Sequence, residues 1–301
     1  MNTKATKKET IGFVGVGLMG HGIAANLLAE GYPLTAIAHR NRAPVDDLVG
    51  QGAQEATSVV GLAAASTVVF LCLTDSVAVE SVVSEMESAL KPGTVIVDCS
   101  TSDPVVTMRL VARLAERDVA YCDAPLGGTP DQAEAGELQA IVGAAPDVFE
   151  RLEPVFACWT ARTIHIGGVG DGHRMKLINN FISLGYGALY AEALSVARKA
   201  GLSIEQFDSV IRGSRMDCGF YRTFMGYSLE GNREAHKFTL TNAYKDMRYL
   251  EAMANNGGCT TPVSSAVKNS FAAAVAGGGD GPEDYVPHLT DYVARANGIA
   301  E

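Results

Sequence analysis

The hydrophobic pattern changes character once along the chain. Up to about residue 166, short apolar runs alternate with stretches whose apolar positions recur every three or four residues. The runs are 10–16 (TIGFVGV), 33–38 (PLTAIA), 67–73 (TVVFLCL), 94–97, 119–122, 138–143 and 163–166. Continuous apolar runs of this kind read as strands buried on both faces. The stretches at 18–30, 76–90, 105–117 and 147–158 read as helices. From 170 the pattern is helical throughout, beginning with GDGHRMKLINNFISLGYGALYAEALSVARKA at 170–200. An unbroken helix of that length runs roughly 40 Å. Further helical stretches follow at 204–212, 220–229, 241–256, 261–276 and 282–296, punctuated by Gly257-Gly258 and Gly277-Gly278-Gly279. The glycine-rich GGVGDG at 167–172 marks a boundary. The expected organisation is α/β, with a doubly wound parallel sheet in 1–168, a long interdomain helix, and an all-α part completing 169–301.

The first run leads directly into Gly15, Gly17 and Gly20, a G-x-G-x-x-G that opens the first helix. Strand, glycine turn, helix and strand in this order form the Rossmann-type dinucleotide fingerprint. Gly15 permits the tight turn, Gly17 lets a pyrophosphate approach the backbone, and Gly20 lets helix and strand pack closely. The helix N-terminus offers unpaired N–H groups and a positive dipole end to phosphate. The second strand should end near the adenosine ribose. No acid stands there; His39, Arg40, Asn41 and Arg42 do. Guanidinium forks match a 2′-phosphate, so NADP is the expected preference, with NAD as the second option. Ligands of such sheets bind beyond the carboxyl ends of the strands, which directs attention to the loops after Leu73, Val97 and Cys122.

Composition narrows the partners. The chain has 301 residues, 47% hydrophobic and 19% charged, with a formal net charge of -10. That balance disfavours nucleic acid and anionic membranes. The start, MNTKATKKET, is basic but lacks the apolar core of a secretory signal, and no apolar run is long enough to span a bilayer. The six cysteines are scattered without a C-x-x-C pair, as expected of a reducing, cytoplasmic setting. The six histidines show no metal-binding spacing, so no metal is expected.

The long helix carries the chemistry. Lys176, Asn179 and Asn180 sit near its start at spacings of three and four, on one face. A solvated helix end is the plain alternative.

Together these motifs resemble the β-hydroxyacid dehydrogenase family, which includes 3-hydroxyisobutyrate dehydrogenase and tartronate semialdehyde reductase. The resemblance runs from about residue 10 to 298. It rests on GFVGVGLMG at 12–20, DCSTSDP at 98–104, DAPLGG at 123–128, AGEL at 135–138, the GxxGxGxxxKxxNN pattern at 167–180, and Lys245-Asp246. It implies hydride transfer between NADP(H) and a small β-hydroxyacid or aldehyde acid. Lys176 would be the general acid/base and Asn180 would hold the substrate beside it. Ser100, Gly127 and Gly128 would form the substrate carboxylate site. Leu18, Met19, Leu73, Thr74 and Ser100 would line the cofactor with the three fingerprint glycines and Arg40, and Lys245 would close over it. Asp246 would orient its neighbours. An ammonium beside the carbonyl oxygen stabilises developing negative charge and supplies the proton. An ordinary lysine, with a pKa of about 10.4, exchanges protons poorly at neutral pH, and burial near other cations would lower it.

The family's usual loop reads DAPVSGG; here Gly127 replaces the serine and Thr129-Pro130 follow. LGGTP and KLINNF are similar to the sulfolactaldehyde reductase branch, which carries an arginine at the position of Gly128. Asp131, Arg174, Arg215, Tyr221 and Arg222 are candidates for shaping specificity. Imine reductases share the architecture but carry aspartate or tyrosine at the position of Lys176. A non-catalytic NADPH-binding module is the reading from another class, and Lys176, Asn180, Ser100 and Lys245 argue against it. A homodimer or homotetramer built through the helical part is the family expectation.

Overall fold

The structure is a computed structural model that describes residues 9–299. The basic start at 1–8 lies outside the described residues. The chain divides into two compact units, the first ending at Lys176 and the second beginning at Leu177.

The first unit is built on one sheet. Its strands are β1 (Ile11–Val14), β2 (Leu34–Ile37), β3 (Gln54–Glu55), β4 (Val68–Leu71), β5 (Val95–Asp98), β6 (Ala120–Asp123), β7 (Leu126–Gly127), β8 (Leu138–Gly143) and β9 (Thr160–Gly167). Strands β3-β2-β1-β4-β5-β6 are parallel neighbours in that order. β8 then runs antiparallel to β6 and β7 and parallel to β9. The intervening helices are α1 (Gly20–Ala29), α2 (Ala43–Gly50), α3 (Val59–Ala65), α4 (Ser76–Met86), α5 (Pro104–Ala115), α6 (Pro130–Glu134) and α7 (Pro146–Phe156).

Alternate residues of the central strands serve opposite cores. Phe13, Val68 and Phe70 pack with Ile23 and Leu27 of α1. Val14, Val69 and Leu71 pack with Leu62 of α3, Val79 and Val83 of α4, and Leu110 of α5. Both faces are therefore covered, which is why these strands read as unbroken apolar runs. The doubly wound expectation is met.

α8 (Asp171–Lys199) is continuous over 29 residues. From Leu177 on, its buried positions Leu177, Leu184, Ala188, Ala191 and Leu194 form the spine of the second unit. Around them pack Tyr221, Phe224 and Met225 of α10 (Gly219–Glu230), Leu240 and Met247 of α11 (Leu240–Asn256), Phe271 of α12 (Pro262–Ala276) and Leu289 of α13 (Leu289–Ala296). Helix α9 (Ile204–Ile211) adds Ile204 and Phe207 at the edge.

Two sequence expectations need correction. The last helix does not begin at 282. Tyr285 is extended and bridges to Thr239, with Leu240 N–H donating to the Asp284 carbonyl and Val286 N–H to the Phe238 carbonyl, at 2.7 and 2.8 Å. A single 3-10 turn, 286–288, precedes α13. Helices α2, α3 and α6 are also missing from the sequence pattern. They span eight, seven and five residues, too few for a periodicity to register.

Candidate active site

The carboxyl ends of β1, β4 and β5 place the first group of expected residues. Gly15 leaves β1 at φ +98, where a Cβ would run into the Cys72 carbonyl and lie 3.0 Å from the Leu73 side chain. The turn is available to glycine because a side chain has neither the conformation nor the space. At Gly20 a Cβ would meet the Gly15 carbonyl and, at 3.0 Å, Phe13 of β1. Gly17 faces open space, with nothing within 4 Å of a Cβ. Beside it Leu18 is 59% exposed, while Met19 is half-buried against the core. An open backbone at a helix N-terminus fits a dinucleotide pyrophosphate.

Arg40 is exposed beyond β2 and has no hydrogen-bond or ion-pair partner among the described residues. Arg42 differs. Its guanidinium grips Glu55 with both terminal nitrogens, at 2.9 and 3.0 Å, and also reaches Asp46 at 3.0 Å. The sequence treats the two arginines alike; the structure commits Arg42 to carboxylates of its own chain.

Ser100 is 3% exposed and sits just past β5. Its Oγ accepts the Leu73 N–H at 2.9 Å. One hydroxyl lone pair is thereby used, and the O–H proton is available to donate. The Ser100 N–H donates to Asp98 Oδ1 at 2.9 Å. Leu73 is half-buried and Thr74 exposed, in the same loop.

The loop after β6 carries Gly127 and Gly128. Gly128 has φ +130, and a Cβ there would lie 2.8 Å from Leu138 Cδ2 and 3.0 Å from Gln132 Oε1. Thr129 and Pro130 begin α6. The Thr129 side chain accepts the Gln132 N–H and the Gln132 side chain accepts the Thr129 N–H, a reciprocal cap. α6 is fastened to α1. The Asn26 amide donates to the carbonyls of Ala133 and Glu134 at 3.1 and 3.2 Å. His21 contacts Glu134 and Asp47 with its two ring nitrogens, each at 2.8 Å. A Cβ at Gly22 would strike the backbone of Ala133 and Glu134. The helix that opens the cofactor fingerprint thus also fixes the Gly127–Gly128 loop. His21, Gly22 and Asn26 are absent from the sequence reading. Their partners in α6 lie more than a hundred residues away, and no local pattern marks them.

Lys176 is half-buried near the start of α8, one helical turn before Asn180. Asn180 is 5% exposed, and its amide donates to Asp246 Oδ2 at 2.7 Å. Lys245 Nζ lies 3.2 Å from Asp246 Oδ1 and 5.6 Å from the Tyr249 ring centroid. Asp246 is 1% exposed and serves both neighbours.

The other specificity candidates separate clearly. Tyr221 is fully buried, with its hydroxyl on Asp208 at 2.9 Å, and is a packing residue. Arg174 pairs with Asp171 and Arg222 with Asp217. Arg215 and Asp131 are exposed. A groove of about 600 Å³ in the second unit, lined by Glu192, Val196, Leu289, Tyr292 and Arg295 among others, contains none of the expected site residues. Among the described residues no cluster of His, Cys, Asp and Glu could hold a metal ion.

Known proteins resemble this chain over most of its length. Residues 10–167 match the family model of the NAD-binding domain of 6-phosphogluconate dehydrogenase. Residues 170–287 match the model described as NAD-binding of NADP-dependent 3-hydroxyisobutyrate dehydrogenase. The 2-(hydroxymethyl)glutarate dehydrogenase of Eubacterium barkeri is 33% identical over 273 residues, 88% of this chain and 89% of that protein. The 3-sulfolactaldehyde reductase of Escherichia coli (strain K12) is 28% identical over 271 residues, 89% of this chain and 91% of that protein. The solved structure of Mycobacterium tuberculosis 3-hydroxyisobutyrate dehydrogenase with L-serine has a TM-score of 0.83 at 25% identity, covering 94% of this chain and 99% of that one. The chain belongs to the β-hydroxyacid dehydrogenase family. It is an NAD(P)-dependent oxidoreductase of the 3-hydroxyisobutyrate dehydrogenase type. No helix of the described residues is long and apolar enough to cross a membrane.

Proposed function

We propose that this enzyme interconverts a short aldehyde acid and its β-hydroxyacid with NADPH, Lys176 being the proton donor and acceptor. The observation that carries the reading is the buried Asn180–Asp246 bond, one helical turn from Lys176. A solvated helix end has no use for a carboxamide locked on a buried carboxylate; a substrate-holding group does. The nicotinamide, when bound, supplies or accepts the hydride. Lys176 stabilises the oxygen on which negative charge develops and transfers its proton. Asn180 fixes that oxygen or its neighbour. Ser100 donates its O–H to the substrate carboxylate, assisted by the backbone of Gly127 and Gly128. Lys245 covers the cofactor, which Gly15, Gly17, Leu18, Met19, Gly20, Leu73 and Thr74 receive.

NADP is the preferred cofactor in this reading, because Arg40 stands unengaged beyond β2 where a 2′-phosphate would lie. Residues 1–168 serve the cofactor and 169–301 serve substrate and assembly. Self-association is supported by α8, which leaves Ile178, Ile182, Tyr186, Leu189 and Val196 between 41% and 68% exposed. A homodimer or homotetramer would cover them. Six free thiols support a reducing, cytoplasmic setting.

The test is spectrophotometric. Glyoxylate, the semialdehydes of succinate, malonate and tartronate, and sulfolactaldehyde are each offered with NADPH and with NADH. Oxidation of NADPH by at least one carboxylated aldehyde is expected. Inactivity with all of them, in an enzyme that binds NADPH, overturns the reading.

A further inference from the structure

We propose that His173, which no sequence motif singles out, is a positioning residue for the reaction: it fixes the serine loop that carries Ser100 to the first turn of α8 that carries Lys176. The inference rests on the roles proposed above for those two residues. Everything it uses lies between residues 73 and 176.

His173 is fully buried on the first turn of α8. Its ring lies by two carboxylates that are themselves fully buried, Asp98 and Asp123. These are register partners at the carboxyl ends of β5 and β6, so the sheet places them side by side. Two adjacent buried carboxylates are unfavourable unless donors or a cation compensate them. Asp123 finds its donors at the start of α8, accepting the Gly170 N–H at 2.6 Å and the His173 N–H at 2.8 Å. That is a helix cap supplied by a distant strand. Gly143 and Gly172 make room for it, since a Cβ at either would come within 2.7 or 2.8 Å of the Asp123 carboxylate. Burial pushes the Asp123 carboxyl above its ordinary value, while His173 and the two amides pull it back.

Asp98 is the other end of the link. Its Oδ1 accepts the Ser100 N–H. Its Oδ2 accepts the hydroxyls of Ser102 at 3.0 Å and Tyr121 at 2.8 Å, and faces His173 Nε2 at 3.6 Å. His173 Nδ1 is 2.8 Å from Thr107 Oγ1 of α5. The Thr107 hydroxyl is also 3.2 Å from the Asp103 carbonyl. A proton on Nε2 fits the group that it faces, because a bare Nε2 would aim its lone pair at the Asp98 carboxylate. The contact chain then runs from the Leu73 amide through Ser100, Asp98 and His173 into α8, three residues before Lys176. It sets the distance between the group that holds the substrate and the group that exchanges its proton.

Glutamine reproduces a donor at the Nε2 position and asparagine does not, so the two substitutions separate a positioning role from packing. His173→Asn should lower kcat about 100-fold, the effect of a misplacement of about 1 Å, with NADPH affinity unchanged. His173→Gln should restore most of that loss. Equal kcat in both variants, or kcat unchanged in His173→Asn, overturns the proposal. A measurement without turnover accompanies them in the wild-type chain. Long-range nitrogen–proton NMR of the His173 ring should show the proton on Nε2, and a bare Nε2 overturns the proposal even where His173→Asn fails to fold. Lys176→Ala is assayed alongside. Loss of turnover there with full activity in His173→Asn removes the His173 role alone. Full turnover in Lys176→Ala removes the acid/base reading, and the His173 role with it.

Discussion

The side-chain amide of Asn180 donates to Asp246 at 2.7 Å, and both residues are buried. The bond fixes which way the carboxamide faces: its nitrogen is held by the carboxylate, so its oxygen is presented elsewhere. Lys245 lies 3.2 Å from the other oxygen of the same carboxylate. Asp246→Leu keeps roughly the shape and removes the acceptor. An unpaired buried amide costs about 1–3 kcal/mol, so kcat/KM should fall at least about tenfold. Steady-state kinetics should show the loss in substrate KM and kcat together. Wild-type kinetics in the variant would make the bond a structural detail.

Lys176→Ala tests the assignment of the proton. General acid–base catalysis by one positioned group contributes about 10²–10⁴-fold, and the loss in kcat should fall in that range. NADPH affinity, followed by quenching of protein fluorescence, should stay near the wild-type value. Near-normal turnover rules the residue out as the acid/base.

Much of this architecture is legible in the sequence for identifiable physical reasons. The strands from β1 to β6 that reach the core are covered on both faces, so each reads as an unbroken apolar run. The Gly15–Gly20 turn is legible because close backbone approach admits few residue types. α8 is legible because 29 residues of periodicity leave no doubt. Short elements were not: β3 and β7 have two residues each, and α6 has five. Side-chain partnerships were not legible either. Asn180 and Asp246 are 66 positions apart, as are Thr107 and His173, and nothing local announces such a pair. The sequence also makes Arg40 and Arg42 equivalent, because Glu55, which occupies Arg42, is thirteen positions further on.

His21 gives the cofactor unit a pH-dependent stability. Burial works against its positive form, but hydrogen bonds and charge attraction from Glu134 and Asp47 outweigh it, and the pKa is raised. A group whose folded value is raised contributes fully below the ordinary histidine value of 6.5 and loses that contribution as pH rises through the folded value. The melting temperature of wild type should therefore exceed that of His21→Gln most at mildly acidic pH, and the gap should narrow as pH increases beyond 6.5. A gap independent of pH would show that the ring is neutral throughout.

Gly128 limits how the loop proposed to hold the substrate carboxylate can be re-engineered. At φ +130, with Leu138 and Gln132 within 3.0 Å of a Cβ, the position is strained for any side chain. Gly128→Arg, which would introduce a cation for a sulfonate, should cost about 1–3 kcal/mol through backbone strain alone. Thermal denaturation should show the drop. Reduction of sulfolactaldehyde should not improve unless the Thr129–Gln132 cap rearranges, which would appear as altered amide shifts in α6. A variant as stable as wild type would mean that the loop relaxes readily, and that its φ does not restrict the substrate.

Cofactor choice should rest on one arginine. Arg42 is tied to Glu55 and Asp46, whereas Arg40 has no partner among the described residues. A charge-assisted hydrogen bond to phosphate contributes about 1.5–3 kcal/mol, so Arg40→Ala should raise the Michaelis constant for NADPH roughly 10- to 100-fold. NADH has no 2′-phosphate, and its constant should hardly move. Arg42→Ala should shift the NADPH constant far less, because its guanidinium is already neutralised by two carboxylates. Equal changes for NADPH and NADH in Arg40→Ala would remove the arginine from the ribose site. A larger effect from Arg42→Ala would mean that cofactor binding breaks its bond to Glu55, and Glu55→Gln should then tighten NADPH binding.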